Sequence, residues 1–395
     1  MILIDLSHTS HTQARTGVQK VSRSLYTALG ERREIEVCAV TWDPYRQAWR
    51  RLLPFESRTL SEESPGADRG THWPLSWKIR GQFARWTNRT IPALPPASSL
   101  IVPEIFSANV ARQLPRLSQN VSGPRVALFH DAIALKLPEL TPSRTVARFP
   151  AYLRELMAFD GIAAVSEDSR NALVDWWRWL GVSQTPEVAA LPLGVDAPKA
   201  DPVLARTTSF PVVLCVGTLE GRKNHAALLD ACETLWRQGH RFELRLVGMA
   251  HTETGREALQ RVHALQQAGR PLRYDGAADE KDLSAAYHEC AFTVYPSRME
   301  GFGLPVLESL GYGKPCICSA QGALGESSRG GGCLALPSVD ATSLASAIAW
   351  LLANPEQYER LSSAARNRSL KSWGTYTSDL LAWMKSLRLR SSPRG

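Results

Sequence analysis

No long apolar run occurs in this 395-residue chain, and stretches such as residues 210–216 fall far short of the ~20 residues that cross a bilayer. The pattern G-x-x-x-x-G-K-[ST] is also missing, which excludes a P-loop of that type. No G-x-G-x-x-G follows the first apolar segment, residues 2–6, and this argues against a dinucleotide-dependent dehydrogenase. Membrane-spanning proteins, P-loop enzymes and dehydrogenases are therefore the less favoured classes.

Cysteine is sparse and irregularly spaced, and its seven residues lie mostly inside apolar runs. An odd count without regular spacing favours reduced, buried thiols in a cytosolic protein. Cys316 and Cys318 form C-x-C, but no second Cys/His pair follows at zinc-site spacing, so we expect no metal site. Residues 1–7 lack a basic segment before their apolar part, and we expect a first strand there rather than a signal peptide.

The net charge of +8 indicates an anionic partner, such as a nucleic acid, a membrane surface or a phosphorylated lipid. Most of the excess is local, because residues 44–91 contain nine Lys/Arg against four acidic residues. Within residues 73–91, Ile79, Phe83 and Trp86 would share one face of a helix that carries four bases and no acid. This composition predicts an interfacial amphipathic helix on anionic lipid. A surface helix that packs its aromatic side chains inward is the alternative.

Short apolar segments alternate with helical patterns in two sets, separated by the Pro/Ala-rich residues 197–211. Such alternation predicts an α/β protein with two doubly wound domains built on parallel sheets. We expect residues 1–197 to form the first domain and residues 198–372 the second. The predicted strands are residues 2–6, 34–40, 100–103, 126–130, 161–165, 212–216, 243–247, 272–274, 292–295 and 316–319. Ligands of such sheets bind outside the carboxyl ends of the strands.

Residues 295–313 have the pattern of an anion-binding helix start. A strand ends near Tyr295 and a helix begins near Leu304, with two glycines between them that let the backbone approach a ligand. The N–H groups at such a helix start can bind a phosphate. Glu300 and Glu308 flank this point; they would repel phosphate but accept hydrogen bonds from sugar hydroxyls. In the alternative interpretation, Glu300 is a solvated loop residue and Glu308 is a residue of the first helical turn that the helix dipole favours.

A second loop, residues 216–225, has a related pattern. A strand ends at Val216, Gly217 permits a tight turn, and the adjacent bases Arg222 and Lys223 precede a helix. A guanidinium and an ammonium in this position suit a diphosphate. A solvated basic helix start is the alternative. Together the two loops predict a diphosphate site at one edge of the second sheet.

In order and spacing, the segments GTLEGRKN and EGFGLPVLE resemble the donor site of GT-B glycosyltransferases of family 4. The hallmark of that family is the E-x7-E spacing, which Glu300 and Glu308 match, and the similarity extends over nearly the whole chain. The resemblance implies two Rossmann-like domains that face a central cleft, the first on the acceptor side and the second binding the nucleotide-sugar donor, with residues 373–390 forming a helix that returns to the first domain. It also implies a retaining glycosyltransferase that takes a nucleotide-diphosphate sugar as donor and needs neither a metal ion nor another cofactor.

The resemblance implies roles for residues of both halves. Arg222 and Lys223 would neutralise the donor diphosphate, Glu308 would bind the ribose, and Glu300 would contact the transferred sugar. His130, in FHD after a strand, would lie near that sugar, so the expected catalytic group is Glu300, His130, Lys223 and Arg222. A purely structural histidine is the alternative. Further donor contacts are expected from Gly17, Gly217, Gly276, Ala277, Gly301, Phe302, Gly303 and Leu304, and Ser166 is an additional candidate.

Among relatives, the sequence looks most like bacterial mannosyltransferases that build O-antigen or capsule polysaccharide. We therefore expect mannose from GDP-mannose to be transferred to a hydroxyl of a glycan or lipid-linked acceptor, while other hexose donors stay open. The expected location is the cytoplasm, with peripheral contact to the anionic inner face of the cell membrane and no nucleic-acid partner. The expected mechanism is front-face substitution, in which the leaving phosphate helps to deprotonate the acceptor; a covalent intermediate on Glu300 is the alternative.

Two other classes remain open. A GT-B nucleotide-sugar epimerase shares the architecture but not this form of the E-x7-E loop. A non-catalytic basic protein that binds membrane or nucleic acid would explain the charge. Against it, the cationic excess is confined to one segment and no recognised nucleic-acid motif occurs.

Overall fold

The computed structural model of the chain describes residues 1–14, 17–61, 71–86, 92–196 and 210–389. Within these residues, thirteen strands form two sheets of seven and six strands. The first sheet contains β1 Ile2–Asp5, β2 Val37–Asp43, β3 Ala48–Arg51, β4 Ser99–Val102, β5 Arg125–Phe129, β6 Gly161–Ala164 and β7 Glu187–Ala190. The second contains β8 Val212–Val216, β9 Glu243–Val247, β10 Leu272–Tyr274, β11 Phe292–Tyr295, β12 Cys316–Ser319 and β13 Cys333–Leu336.

Helices connect these strands and cover both faces of the sheets. In the first half they are α1 Gly17–Gly30, α2 Pro54–Ser61, α3 Leu75–Trp86, α4 Ala108–Ser118, α5 Ile133–Lys136, α6 Ser143–Glu155 and α7 Glu167–Trp179. In the second half they are α8 His225–Arg237, α9 Arg256–Gln267, α10 Glu280–Glu289, α11 Leu304–Gly311, α12 Gly322–Ser328, α13 Ala341–Ala353, α14 Pro355–Arg366 and α15 Trp373–Ser386.

Residues of β1 show how the sequence pattern produces this layered packing. Successive side chains of a strand point to opposite faces. Ile2 and Ile4 join one buried cluster with Leu25 of α1, whereas Leu3 joins the cluster on the other face with Leu114 of α4. A strand buried on both faces has to be apolar at every position, and this is why short apolar runs marked the strands in the sequence.

The strand order is β3-β2-β1-β4-β5-β6-β7 in the first sheet and β10-β9-β8-β11-β12-β13 in the second. All neighbours are parallel except β2 and β3, which pair antiparallel, so the prediction of a purely parallel first sheet was wrong at this edge. A short connection of four residues links β2 to β3, and a connection this short permits only a hairpin. With this exception, the two doubly wound sheets confirm the predicted fold class.

The predicted strands of the second half have the bounds of β8, β9, β10, β11 and β12, whereas β2 begins three residues later than predicted. The sequence patterns missed β3, β7 and β13, which are edge strands of the two sheets. Edge strands can carry polar side chains because one side of the strand meets solvent, and this weakens the apolar pattern of β3, AWRR, and β7, EVAA, but not that of β13, CLAL. Residues 197–209 of the predicted linker lie outside the described residues. The domain boundary therefore stays a prediction.

The last helix joins the second half of the chain to the first sheet. Helix α15 packs against α1, where Arg32 Nη2 donates a hydrogen bond to the carbonyl of Gly374 at 3.1 Å. Near its end, Trp383 Nε1 donates to Glu187 Oε1 of β7 at 2.8 Å. The helix therefore returns to the first sheet, as expected for this architecture.

Candidate active site

The start of α11 forms one wall of a cleft between the two sheets. Gly303 precedes the helix with φ +108°, a conformation that L side chains rarely adopt, and Pro305 occupies the first turn. A Cβ atom on Gly301 would lie 2.1 Å from the carbonyl oxygen of His130, so the loop before α11 touches the end of β5 in the first sheet. The predicted glycines are thus required by a turn and by a close approach between the two halves.

The loop after β8 forms the adjacent wall. Gly221–Lys223 make a short 3-10 turn, and Asn224 then adopts a left-handed conformation with φ 57° before α8. Its side-chain amide donates to the carbonyls of Pro296 and Val339 at 3.3 and 2.7 Å. These bonds tie the β8 loop to the β11 loop. The two predicted donor loops are therefore one connected structure.

Glu300 holds the two adjacent bases at the centre of the cleft. Its Oε2 lies 2.7 Å from Arg222 Nη1, and its Oε1 lies 2.7 Å from Lys223 Nζ. Burial alone would raise the pKa of Glu300, but the positive charges of Arg222 and Lys223 lower it to about 2. Burial lowers the pKa of Lys223, whose ammonium also contacts the hydroxyl of Tyr295. The three side chains pair with one another, and Arg222 makes a further ion pair with Glu220 at 2.6 Å.

Glu308 lies one turn into α11 and connects the two halves of the chain. Lys20 of α1 forms an ion pair with its Oε1, and Tyr287 donates its hydroxyl to Oε2 at 3.1 Å. The charge of Glu308 raises the pKa of Lys20. Sequence reasoning missed Lys20 and Tyr287; the only signal for Lys20 was its place in the segment TGVQK, three residues after Gly17.

His130 lies at the end of β5, where its ring is buried and has a defined tautomer. Nε2 lies 2.7 Å from the carbonyl oxygen of Pro103, which can only accept, so Nε2 carries the proton. Burial lowers the pKa of His130, and the ring is therefore neutral at physiological pH. Nδ1 is then a hydrogen-bond acceptor, which suits a sugar hydroxyl.

These groups surround a cavity of about 410 Å³. Of the predicted site residues, the lining includes Gly17, His130, Gly217, Arg222, Lys223, Ala277, Glu300, Gly301, Phe302, Gly303, Leu304 and Glu308. Gly276 is not among the lining residues; its carbonyl accepts a hydrogen bond from the Gly248 amide at 2.6 Å. Further lining residues that the sequence patterns missed include Lys20, Asp131, Glu220 and Tyr295.

Ser166, the additional candidate, acts on the loop before α11 instead of lining the cavity. It caps α7 by accepting from the Ser169 amide, and its Oγ donates to the carbonyl of Gly301 at 2.7 Å. The Oγ of Ser169 donates to the carbonyl of His130 at 3.0 Å. The Ser169 hydroxyl also donates to the carbonyl of Gly301 at 3.2 Å, so both serines join the two halves of the chain.

Residues 196–368 match the family model described as glycosyl transferases group 1. The serotype-specific mannosyltransferase WbdA of Escherichia coli is 26% identical over 334 residues, which are 78% of this chain and 37% of that protein. The O-antigen chain mannosyltransferase B of Escherichia coli is 31% identical over 226 residues, 55% of this chain and 59% of the relative. The crystal structure of Anabaena Alr3699/HepE in complex with UDP-glucose has a TM-score of 0.67 at 15% identity and covers 98% of this chain and 99% of that chain.

The two-sheet architecture and the likeness to the HepE structure show that the chain has the GT-B fold. The second half of the chain matches the group 1 glycosyltransferase family, as the sequence resemblance predicted. The chain spans little more than a third of the length of the WbdA relatives.

Gly17→Ala tests whether the first turn of α1 approaches the donor. A Cβ atom at Gly17 would meet nothing within 4 Å, so we expect the free energy of unfolding to change by no more than about 1 kcal/mol. Because Gly17 lines the cavity, an added methyl group should obstruct a bound diphosphate and weaken nucleotide binding by about tenfold or more, measured by calorimetry. Gly30→Ala, at the other end of the same helix and also without a neighbour, is the control. Equal nucleotide affinity in both variants would contradict the role given to Gly17.

Proposed function

We propose that the chain is a retaining hexosyltransferase that moves a sugar from a nucleoside diphosphate to a hydroxyl of a glycan or lipid-linked acceptor in the synthesis of a bacterial surface polysaccharide. The observation that carries this proposal is the arrangement of Arg222, Lys223 and Glu300 beside the start of α11, with Glu308 one turn away. It combines positive charge for a diphosphate with carboxylates for sugar hydroxyls in one cavity.

The positive charges would stabilise the leaving diphosphate. Arg222 and Lys223 are held by Glu300, and a diphosphate at the start of α11 would offer them further acceptor oxygens. Preorganised cations and helix N–H groups stabilise charge that develops in a transition state, so no metal ion is required in this proposal. The neutral ring of His130 would accept a hydrogen bond from a sugar hydroxyl. Glu308 would release Lys20 or Tyr287 and would accept hydrogen bonds from the ribose hydroxyls instead.

Front-face substitution is the mechanism that we propose. The leaving phosphate oxygen would take the proton of the acceptor hydroxyl on the same face of the sugar, and the anomeric configuration would be retained. The two ion pairs of Glu300 with Arg222 and Lys223 support this choice, because a carboxylate held by two cations is a weak nucleophile. Isolation of a glycosyl adduct on Glu300 would favour the covalent alternative.

GDP-mannose is the proposed donor. Two curated relatives are named mannosyltransferases, and this supports mannose over other hexoses. The HepE structure, which holds UDP-glucose, shares the fold at 15% identity and carries no argument about the base or sugar here. The guanine base is the part of the proposal that binding data can decide most directly.

A thermal-shift panel of GDP, UDP, ADP and dTDP tests the site and the base together. A ligand that binds only the folded protein stabilises it by about 2.7 kcal/mol at 100 times its Kd, which corresponds to roughly 3 °C for a chain of this size. We expect GDP to give the largest shift. If UDP gives it, the mannose donor is wrong, and if no nucleotide shifts the melting temperature, the donor site itself is wrong.

Incubation of GDP-mannose without acceptor should give no epimer, which separates a transferase from an epimerase.

A further inference from the structure

Helix α3 is fastened to the first half of the chain along one face. Trp77 Nε1 donates to Asp43 Oδ2 at 3.0 Å, and its ring lies 4.5 Å from the guanidinium carbon of Arg46. Gly81 is buried against Tyr45, whose Cβ would lie 2.6 Å from a Cβ at that position. Positions 77 and 81 are one helical turn apart, so they fix which side of α3 faces inward.

The opposite side of α3 is apolar and exposed to solvent. Leu75, Ile79 and Phe83 are 73%, 61% and 57% exposed, and we call these three side chains the apolar stripe. Each lies two positions from 77 or 81, which is about 200° around the helix axis. The alternative prediction, that this helix buries its aromatic side chains, is wrong for Phe83. The side chain of Trp86 lies outside the described residues.

The charge of α3 indicates which kind of partner fits this surface. The segment LSWKIRGQFARW contains Lys78, Arg80 and Arg85 and no acidic residue. A second copy of the chain docked through the same face would bring like charges together. Nucleic acid would satisfy the bases but would leave three large apolar side chains against a charged backbone. An anionic bilayer offers both a negative surface and an apolar layer beneath it.

We propose that α3 docks on an anionic lipid surface, with the apolar stripe at the acyl boundary and Lys78 at the level of the headgroups. No helix of the described residues is long and apolar enough to cross a membrane, so the contact proposed is with one face of the bilayer. Given the proposed function, this position would bring the first domain close to a lipid-linked acceptor. The first domain is the half of the chain that is expected to bind the acceptor. The binding itself does not depend on the donor or on catalysis.

Co-sedimentation of the full chain with vesicles tests the proposal. The probes are vesicles of phosphatidylcholine alone and vesicles of phosphatidylcholine with phosphatidylglycerol, at low and at high salt. We expect binding to the anionic vesicles only, with a decrease at high salt because ions screen surface charge. The variant Leu75→Ser/Ile79→Ser/Phe83→Ser should lower the partition coefficient by about tenfold or more.

Trp179→Ser/Leu180→Ser is the matched control, because it removes two other exposed apolar side chains, at the end of α7. This variant should bind vesicles like the unmodified chain. The proposal would be overturned if the α3 variant bound vesicles like the unmodified chain, or if both variants lost vesicle binding equally. Concentration-dependent dimerisation through the apolar stripe, measured by sedimentation velocity, would also overturn it. The nucleotide thermal-shift panel on the same variants reports the donor site separately, so failure of lipid binding and failure of the proposed function are distinguishable.

Discussion

Lys223→Met is expected to lower the rate of sugar transfer by about 100- to 1,000-fold, the loss that follows removal of one group that stabilises transition-state charge. It should also raise the Kd for the nucleoside diphosphate by about 10- to 100-fold, since a charge-assisted hydrogen bond is lost. The physical reason is that Lys223 Nζ lies in the cleft, 2.7 Å from Glu300 and beside the start of α11. Calorimetry with the nucleotide that the panel identifies, followed by turnover measurements, checks both effects.

The control for this variant is Tyr295→Phe. The Tyr295 hydroxyl contacts Lys223, and the ammonium lies 4.7 Å from the centre of the tyrosine ring, so the phenylalanine keeps the ring and the cation. We expect a loss of less than about tenfold, because the ammonium and its ion pair with Glu300 stay in place. In Lys223→Met, Arg222 still pairs with Glu300, and the variant should fold. If the Lys223→Met protein folds and its nucleotide affinity is unchanged, Lys223 has no part in binding the diphosphate and the proposed mechanism is wrong at this residue.

Gly301→Ala is expected to reduce activity by about 100-fold or more, because small displacements of catalytic groups have effects of this size. The new Cβ would lie 2.1 Å from the His130 carbonyl oxygen and 3.1 Å from Asp131 Cβ, so the loop would have to move away from β5. The movement would shift Glu300 and would break the hydrogen bond from Ser166. We expect the free energy of unfolding to fall by about 1–3 kcal/mol, the usual range for overpacking. Thermal melts and turnover with the proposed donor measure the two effects.

Gly374→Ala provides the comparison for a harmless glycine substitution. A Cβ there would lie 3.7 Å from Ser372 Oγ, an ordinary contact in the first turn of α15. Ser166→Ala is the second comparison, since it removes the hydrogen bond to Gly301 and leaves the backbone space unchanged. We expect the activity order Gly374→Ala, Ser166→Ala, Gly301→Ala from highest to lowest. Full activity of Gly301→Ala would show that the close contact with His130 is unnecessary.

Much of the second half could be predicted from local patterns. The strands β8, β9, β11 and β12 lie inside the second sheet, where burial on both faces leaves a clear signal in the sequence, and the edge strand β10 was also located. The two donor loops were identifiable because a strand end, glycines and a helix start lie within about ten residues of each other in the chain. Prediction failed at β3, β7 and β13, where one side of the strand has no neighbour and polar residues are tolerated.

The partners of the predicted site residues could not be predicted in the same way. Lys20 and Glu308 are 288 residues apart in sequence, and no spacing rule joins them. The tautomer of His130 depends on the carbonyl of Pro103, which reaches the ring only because β4 and β5 are neighbours in the sheet. Likewise, exposure of the apolar stripe of α3 follows from where Trp77 and Gly81 dock, and the helical pattern alone was consistent with either orientation.

The sequence by itself determined most of the elements, the family resemblance and the residue types of the proposed donor site, because these depend on interactions between residues that are close along the chain. Only the tertiary structure decided which charges meet. It placed Arg222 and Lys223 on Glu300, Lys20 on Glu308 and Gly301 against the end of β5. Such contacts are set by how two sheets pack across a cleft, and the free energy of that packing is spread over many distant side chains.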